Sequence, residues 1–177
     1  MPHPTTTRRR PDRSEYFEYY DRYVGLVPDG DIVAILRDQL VSTSAFLQLI
    51  PNDRIEYRYA PGKWTLKEVL GHVVDMEWVF TSRALHFARA VGQPLPGVEQ
   101  DDFIAAGNFA AQSWSALIEQ YRHLRHANAL MFEAFDEATW SRTGVASGRT
   151  FTVRAIPHII AGHERHHIGV IREKYLV

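Results

Sequence analysis

The chain has 177 residues, with 20 basic against 21 acidic side chains and a net charge of -1, a balance that argues against a surface for coating nucleic acid or a polybasic membrane anchor. Cysteine is absent, which excludes disulfides, thiolate metal sites and a cysteine nucleophile. The length suits one domain with a self-sufficient core, and 45% hydrophobic with 23% charged residues is ordinary soluble-globular composition.

Residues 1–13 are polar and basic and read as a disordered tail, with Arg8, Arg9 and Arg10 as a solvated charge run. They lack the apolar stretch of a secretory signal, and no later run approaches the ~20 residues of a membrane span. The expectation is a cytoplasmic protein whose single domain fills 14–177. Ser14 to Tyr23 collects Tyr16, Phe17, Tyr19, Tyr20 and Tyr23, an aromatic packing segment or short helix. Asp31 to Ile50 carries Ile32, Ile35, Leu40, Phe46 and Leu47 at loosely helical spacing and stops at Pro51. Pro61-Gly62 marks a turn. The second helix has a sharp start: Thr65 and Glu68 are placed for a capping box, and Trp64 and Val69 for a hydrophobic staple across it. Gly92 and Pro94 end it, so it is expected to reach about Ala90.

A Pro-, Gly- and Asp-rich linker covers 92–108. A third helix is expected from Ser113 to Phe135, followed by a loop with Gly144 and Gly148. The fourth helix runs from near Thr152 to near Tyr175, with Pro157 close to its first turn, either kinking it or moving its start later. Four helices of ~20 residues without β-alternation predict an all-α four-helix bundle with a short N-terminal aromatic segment and long connecting loops. Thr150 to Val153 has β-propensity but is too short to change that class.

Nine histidines are candidates for chemistry, and most are set aside by position. His3 lies in the tail. His86 sits beside Arg83 and Arg89. His123 and His126 fall among Arg122 and Arg125 on what reads as a solvated helix face, and His158 lies off the apolar stripe of the fourth helix. On that helix Ile156, Ile160, His163, His167 and Val170 recur at 4-3-4-3 spacing, a core-facing stripe. Two imidazoles therefore project together toward the bundle interior. Two satisfied core histidines are the bland reading, but each ring nitrogen needs a partner in an otherwise aliphatic stripe, and a shared metal ion supplies one. His166 falls on another track, with Ile159, Gly162, Gly169 and Glu173, ~100° away from His167, and is expected at a flank.

The run His163-Glu164-Arg165-His166-His167 also matches the H-E-x-x-H of zinc proteases. The extended form of that motif wants Gly at 170 and His at 173, where this chain has Val170 and Glu173, so a third ligand is sought upstream. His72 is the candidate, on the second-helix stripe Val69, His72, Met76 and Val79, because bundle metal sites are built from facing helices. Asp75 and Glu164 are candidates to support the ligands from behind. The alternatives are a solvated Asp75 and a Glu164 that packs helices.

With these residues in place, the chain resembles the DinB/YfiT-like family of metal-binding four-helix bundles, from about Tyr16 to Tyr175. The resemblance is carried by Tyr-Ala-Pro-Gly-Lys-Trp-Thr at 59–65, Glu68-Val-Leu-Gly-His72, Pro94-Leu-Pro-Gly97 with Asp101-Asp102, Ala106-Gly-Asn108-Phe109, and Gly162-His163-Glu164-Arg-His-His167. It implies a divalent metal, typically nickel or zinc, held by three histidines, one from the second helix and two from the fourth. In this chain they are His72, His163 and His167. It also implies a homodimer, and relatives that include transferases and isomerases using low-molecular-weight thiols.

Three neutral imidazoles leave a metal its full +2 charge and open coordination positions. In such a site zinc lowers the pKa of bound water to ~7, and a coordinated thiol is deprotonated. Without a cysteine of its own, the chain would take the thiol as a cosubstrate. The expectation is a metal-dependent enzyme acting on a small molecule, foremost a thiol S-transferase, with a metal-dependent hydrolase as the alternative. From a different class comes a helical dimerisation or binding module whose metal is structural. Nucleic-acid binding through the arginine tail ranks last, and no membrane partner is expected.

Overall fold

The computed structural model describes residues 8–177. Two 3-10 turns, Arg13–Glu15 and Glu18–Tyr20, lead into α1, a single turn over Asp21–Val24. α2 spans Ile32–Gln48, begun by Asp31, whose carboxylate accepts from the N–H groups of Val33 and Ala34. α3 is one turn, Asn52–Ile55. α4 spans Leu66–Ala88 and opens with the expected reciprocal box between Thr65 and Glu68. α5 covers Gln100–Ala106, and a 3-10 turn follows at Phe109–Ala111. α6 spans Trp114–Glu133, capped by the Ser113 hydroxyl, and α7 is the turn Glu137–Trp140, capped by Asp136. Strands β1, Thr143–Ala146, and β2, Arg149–Thr152, precede α8, Ala155–Val170, which runs on into a wider π-type turn at Ile171–Tyr175.

The chain is mostly helical, and the four long helices stand where their periodicity puts them. Three local features differ from expectation. The loop around Gly144 and Gly148 is an antiparallel hairpin pairing Thr143 with Thr152. Its turn residues, Ser147 and Gly148, both have positive φ (52° and 70°), the primed geometry that suits a two-residue hairpin. The linker over 92–108 holds α5, and Leu95 is clamped to the hairpin by hydrogen bonds to Val145 O and from Ser147 N–H. The fourth helix starts at Ala155, so Pro157 is its third residue, where a missing N–H costs no intrahelical bond.

The expected tail divides in two. Residues 1–7 lie outside the described residues. From Arg8 onward the chain lies against the body: Arg8 donates to Glu133 O, and Arg10 to the carbonyls of Val24 and Val27. Arg8, Arg9 and Arg10 are also paired with Asp31, Asp12 and Asp29.

Around the bundle the contacting neighbours are α2 with α6, α6 with α4, α4 with α8 and α8 with α2. α2 and α4 are therefore diagonal, as are α6 and α8, which the long connections 49–65 and 134–154 allow, while α4 and α6 stand side by side. Two apolar clusters fill the interior. One gathers Ile32, Leu36, Phe80, Phe87, Phe132, Trp140 and Ile156, the other Leu47, Leu66, Leu70, Leu117, Ile168 and Ile171.

Between the two clusters lies a buried polar layer that joins all four long helices. Arg125 of α6 donates Nε and Nη2 to Glu77 of α4, both at 2.8 Å, and its Nη1 lies 2.6 Å from Glu164 Oε2 of α8. The Thr43 hydroxyl of α2 donates to Glu164 Oε1 at 2.5 Å, Tyr121 OH to Glu164 Oε2 at 3.1 Å, and Asn128 Nδ2 to Glu77 Oε1 at 2.9 Å. The solvated face expected for α6 keeps Arg122, His123 and His126, but Arg125 is fully buried. A guanidinium is admitted to the core because two carboxylates on neighbouring helices meet it there.

Candidate metal centre

α4 and α8 bring three imidazoles to one point. His72 Nε2 lies 3.0 Å from His163 Nε2, and His167 Nε2 lies 3.1 Å from the same atom. One ring nitrogen from each residue falls within 4.8 Å of the others. His72 and His163 are buried and His167 is half-buried. The two sequence stripes thus converge on the three residues they single out.

The spacing has a chemical consequence. A neutral ring nitrogen carries either one N–H or one in-plane lone pair. Nε2 of His163 can therefore complete a hydrogen bond with one of its two neighbours and not with both. A cation shared by three lone pairs satisfies all of them. Two nitrogens bound to one zinc at ~2.0–2.1 Å, between a right and a tetrahedral angle apart, stand ~2.9–3.4 Å from each other, the range of the two distances here. Burial, reinforced by the neighbouring rings, holds the pKa of His72 down at about 4, that of His167 at about 3 and that of His163 well below the ordinary value. All three are neutral at pH 7, the form that binds metal.

Aromatic walls, from α4 itself and from outside the four long helices, hold the rings in place. Tyr23 of α1 sets its ring against His163 and His166, with centroids 5.2 and 5.5 Å apart. Gly162 makes this possible, because a Cβ there would fall 2.0 Å from Tyr23 O. Trp64, the staple residue before α4, packs on His72 at 4.9 Å, and Phe80 meets His163 at 5.8 Å. Two clefts reach the cluster. One, of about 420 Å³, is lined by Tyr59, Lys63, Trp64, Asp101, His166 and His167. The other, of about 270 Å³, is lined by Tyr19, Tyr20, Tyr23, Phe80, His72 and His163.

The supporting candidates fare differently. Glu164 is turned into the polar layer, held by Thr43, Tyr121 and Arg125, so its place is between helices and not behind a ligand. Asp75 is half-buried, its carboxyl pKa raised by burial, and among the described residues it bonds to no imidazole. His166 stands at the flank, half-buried, with its ring 5.0 Å from that of His167. Tyr19, Tyr20, Tyr23 and Trp64 are site walls that sequence reasoning assigned to packing alone. The aromatic density of 16–23 was the available signal.

A family model described as the DinB superfamily matches residues 35–171. No curated protein sequence matches the chain significantly. Among solved structures, YfiT from Bacillus subtilis, a probable metal-dependent hydrolase with an unusual four-helix bundle topology, is 13% identical with a TM-score of 0.66, over 96% of this chain and 95% of its own. A mycothiol-dependent maleylpyruvate isomerase is 18% identical with a TM-score of 0.61, over 77% of this chain and 58% of its own. At these identities the likeness speaks to the fold. Among the described residues no helix is long and apolar enough to cross a membrane.

Proposed function

The chain belongs to the DinB superfamily, and from that membership together with the convergence of His72, His163 and His167 we propose a metal-dependent enzyme that acts on a small molecule by thiol-dependent S-transfer. The observation that carries the reading is the nitrogen triangle itself: three buried or half-buried neutral rings with Nε2 contacts of 3.0 and 3.1 Å that hydrogen bonding alone does not satisfy. Among the described residues the group has three members and no fourth His, Cys, Asp or Glu. Structural zinc sites are closed by four protein ligands, so an open triad favours a reactive centre over a structural one.

Bound there, nickel or zinc would supply a Lewis acid that holds a thiol or a water in its anionic form at neutral pH. The chain's own residues orient the triad: Trp64 fixes His72, and Tyr23 and Phe80 fix His163. Because the chain has no cysteine, a thiol reaches the triad only as a second small molecule, and one structural relative is mycothiol-dependent. Hydrolysis is the second reading, favoured by the match along nearly all of YfiT, a probable metal-dependent hydrolase. Elemental analysis of protein purified without metal-affinity resin tests the metal. Assays of loaded protein on an electrophilic acceptor, with and without added thiol, test the reaction. Activity that needs both metal and thiol is expected. Metal-dependent hydrolysis without thiol selects the second reading, and absence of stoichiometric metal refutes both.

A further inference from the structure

Among the described residues, Lys67, Arg83 and Arg125 are the buried lysine and arginine side chains. Lys67 pairs with Glu56, and Arg125 pairs with Glu77 and Glu164. Arg83, only 5% exposed, forms no ion pair among the described residues. Its Nη2 donates to Pro96 O at 3.1 Å and to Ser147 Oγ at 3.2 Å. Its guanidinium carbon lies 5.9 Å from the centre of the Phe80 ring. Tyr20 stands beside it, with a hydroxyl pKa that burial raises and Arg83 draws part of the way back. All of these partners are neutral. An arginine stays charged in a protein, so a full positive charge is buried here without a counter-ion. That is unfavourable unless an anion arrives from outside.

Arg83 opens on a place where one can. A cleft of about 370 Å³ lies between α4 and the segment 95–98. Its lining is apolar apart from Arg83 and the Ser82 hydroxyl: Val79, Leu95, Pro96 and Val98 contribute to it, together with Trp78, which is 59% exposed. No Asp, Glu or His lines it. Glu99, next in the chain to Val98, lines the smaller histidine cleft instead. A single guanidinium fork matches one carboxylate, and an exposed indole beside aliphatic side chains offers an apolar body a platform. We propose that this cleft, outside the metal centre, binds a monocarboxylic acid with an apolar aryl or alkyl body, its carboxylate on Arg83 and its body against Trp78.

Isothermal titration calorimetry of the full chain with octanoate and 4-phenylbutyrate, against the uncharged octanamide and 4-phenylbutanamide, tests this. At least one acid is expected to bind saturably, with its amide weaker by at least about tenfold. Arg83→Gln, which keeps a donor for Pro96 O, weakens that acid by at least about tenfold with the far-UV helix signal unchanged. Trp78→Ala, a change at an exposed position, weakens it by about fivefold. His72→Ala leaves its Kd within about twofold, because the site is not the metal centre. Should Arg83→Gln fail to fold, the acid–amide comparison and Trp78→Ala decide. The proposal is overturned if neither acid binds, if the amides bind as well as the acids, or if folded Arg83→Gln or Trp78→Ala binds like the parent. Loss of binding in His72→Ala also overturns it, since the carboxylate would then sit on the metal.

Discussion

Arg125→Met keeps much of the side-chain length and removes only the charge and its donors. Arg125, Glu77 and Glu164 have side-chain exposures of 0, 2 and 1%. Burial by itself would lower the guanidinium pKa, but Glu164 and Glu77 outweigh it and hold Arg125 well above its ordinary value, so the arginine is charged. The interior then holds one cation against two carboxylates. In the methionine variant both carboxylates remain, facing one another with only Asn128, Thr43 and Tyr121 as donors. Removing one partner from a buried ion pair costs about 3–5 kcal/mol, against a total of about 5–15 kcal/mol for a domain. For a chain this size that is a fall in Tm of about 10 °C. Urea unfolding followed by circular dichroism measures the loss. Glu77→Gln, which leaves Arg125 and Glu164 balanced, is expected to cost less than half as much. An Arg125→Met variant within about 1 kcal/mol of the parent, or a Glu77→Gln variant as unstable as Arg125→Met, would refute this account of the layer.

Three further outcomes are expected. His72→Ala, His163→Ala and His167→Ala each lose most bound metal by elemental analysis, while His166→Ala keeps near-full occupancy; an empty site in His166→Ala with a filled one in His167→Ala would mean that the phase assigned to α8 is wrong. Chelation lowers Tm by an amount set by metal affinity but leaves a helical protein, because the two apolar clusters do not depend on the ion; complete loss of the far-UV helix signal counts against this. His158 is buried, donates Nδ1–H to Arg154 O, and has its pKa lowered by burial to about 4. A histidine with a folded pKa below its unfolded value of about 6.5 contributes fully above pH 6.5, and its stability is lost as pH falls toward 4, at up to about 1.4 kcal/mol per pH unit. The slope of unfolding free energy between pH 7 and 5 should therefore be shallower in His158→Gln than in the parent, and an unchanged slope disproves the assignment.

Much of the site was legible because it is written in local terms. Thr65 and Glu68 mark the start of α4 whatever surrounds them. The 3.6-residue period then assigns His72, His163 and His167 to inward faces and His166 to a flank, since helical phase depends on nothing beyond the helix itself. Arg125 was misread for a related reason. A charged residue beside Arg122, His123 and His126 looks solvated until carboxylates on two other helices are known to meet it. The hairpin was missed because its signal is two positive-φ residues, Ser147 and Gly148, between strands too short to show alternation.

By itself the sequence determined which residues face inward, where three of the long helices begin, and which three histidines can share an ion. Only the tertiary structure decided that α2 and α4 lie diagonally, that His72 and His163 stand at one level, that Glu164 serves the polar layer and not the imidazoles, and that Tyr23 closes over the site against Gly162. Periodicity sets rotation about a helix axis. The relative height and neighbours of helices come from how long connections cross and how side chains interlock, and those depend on residues far apart in the chain.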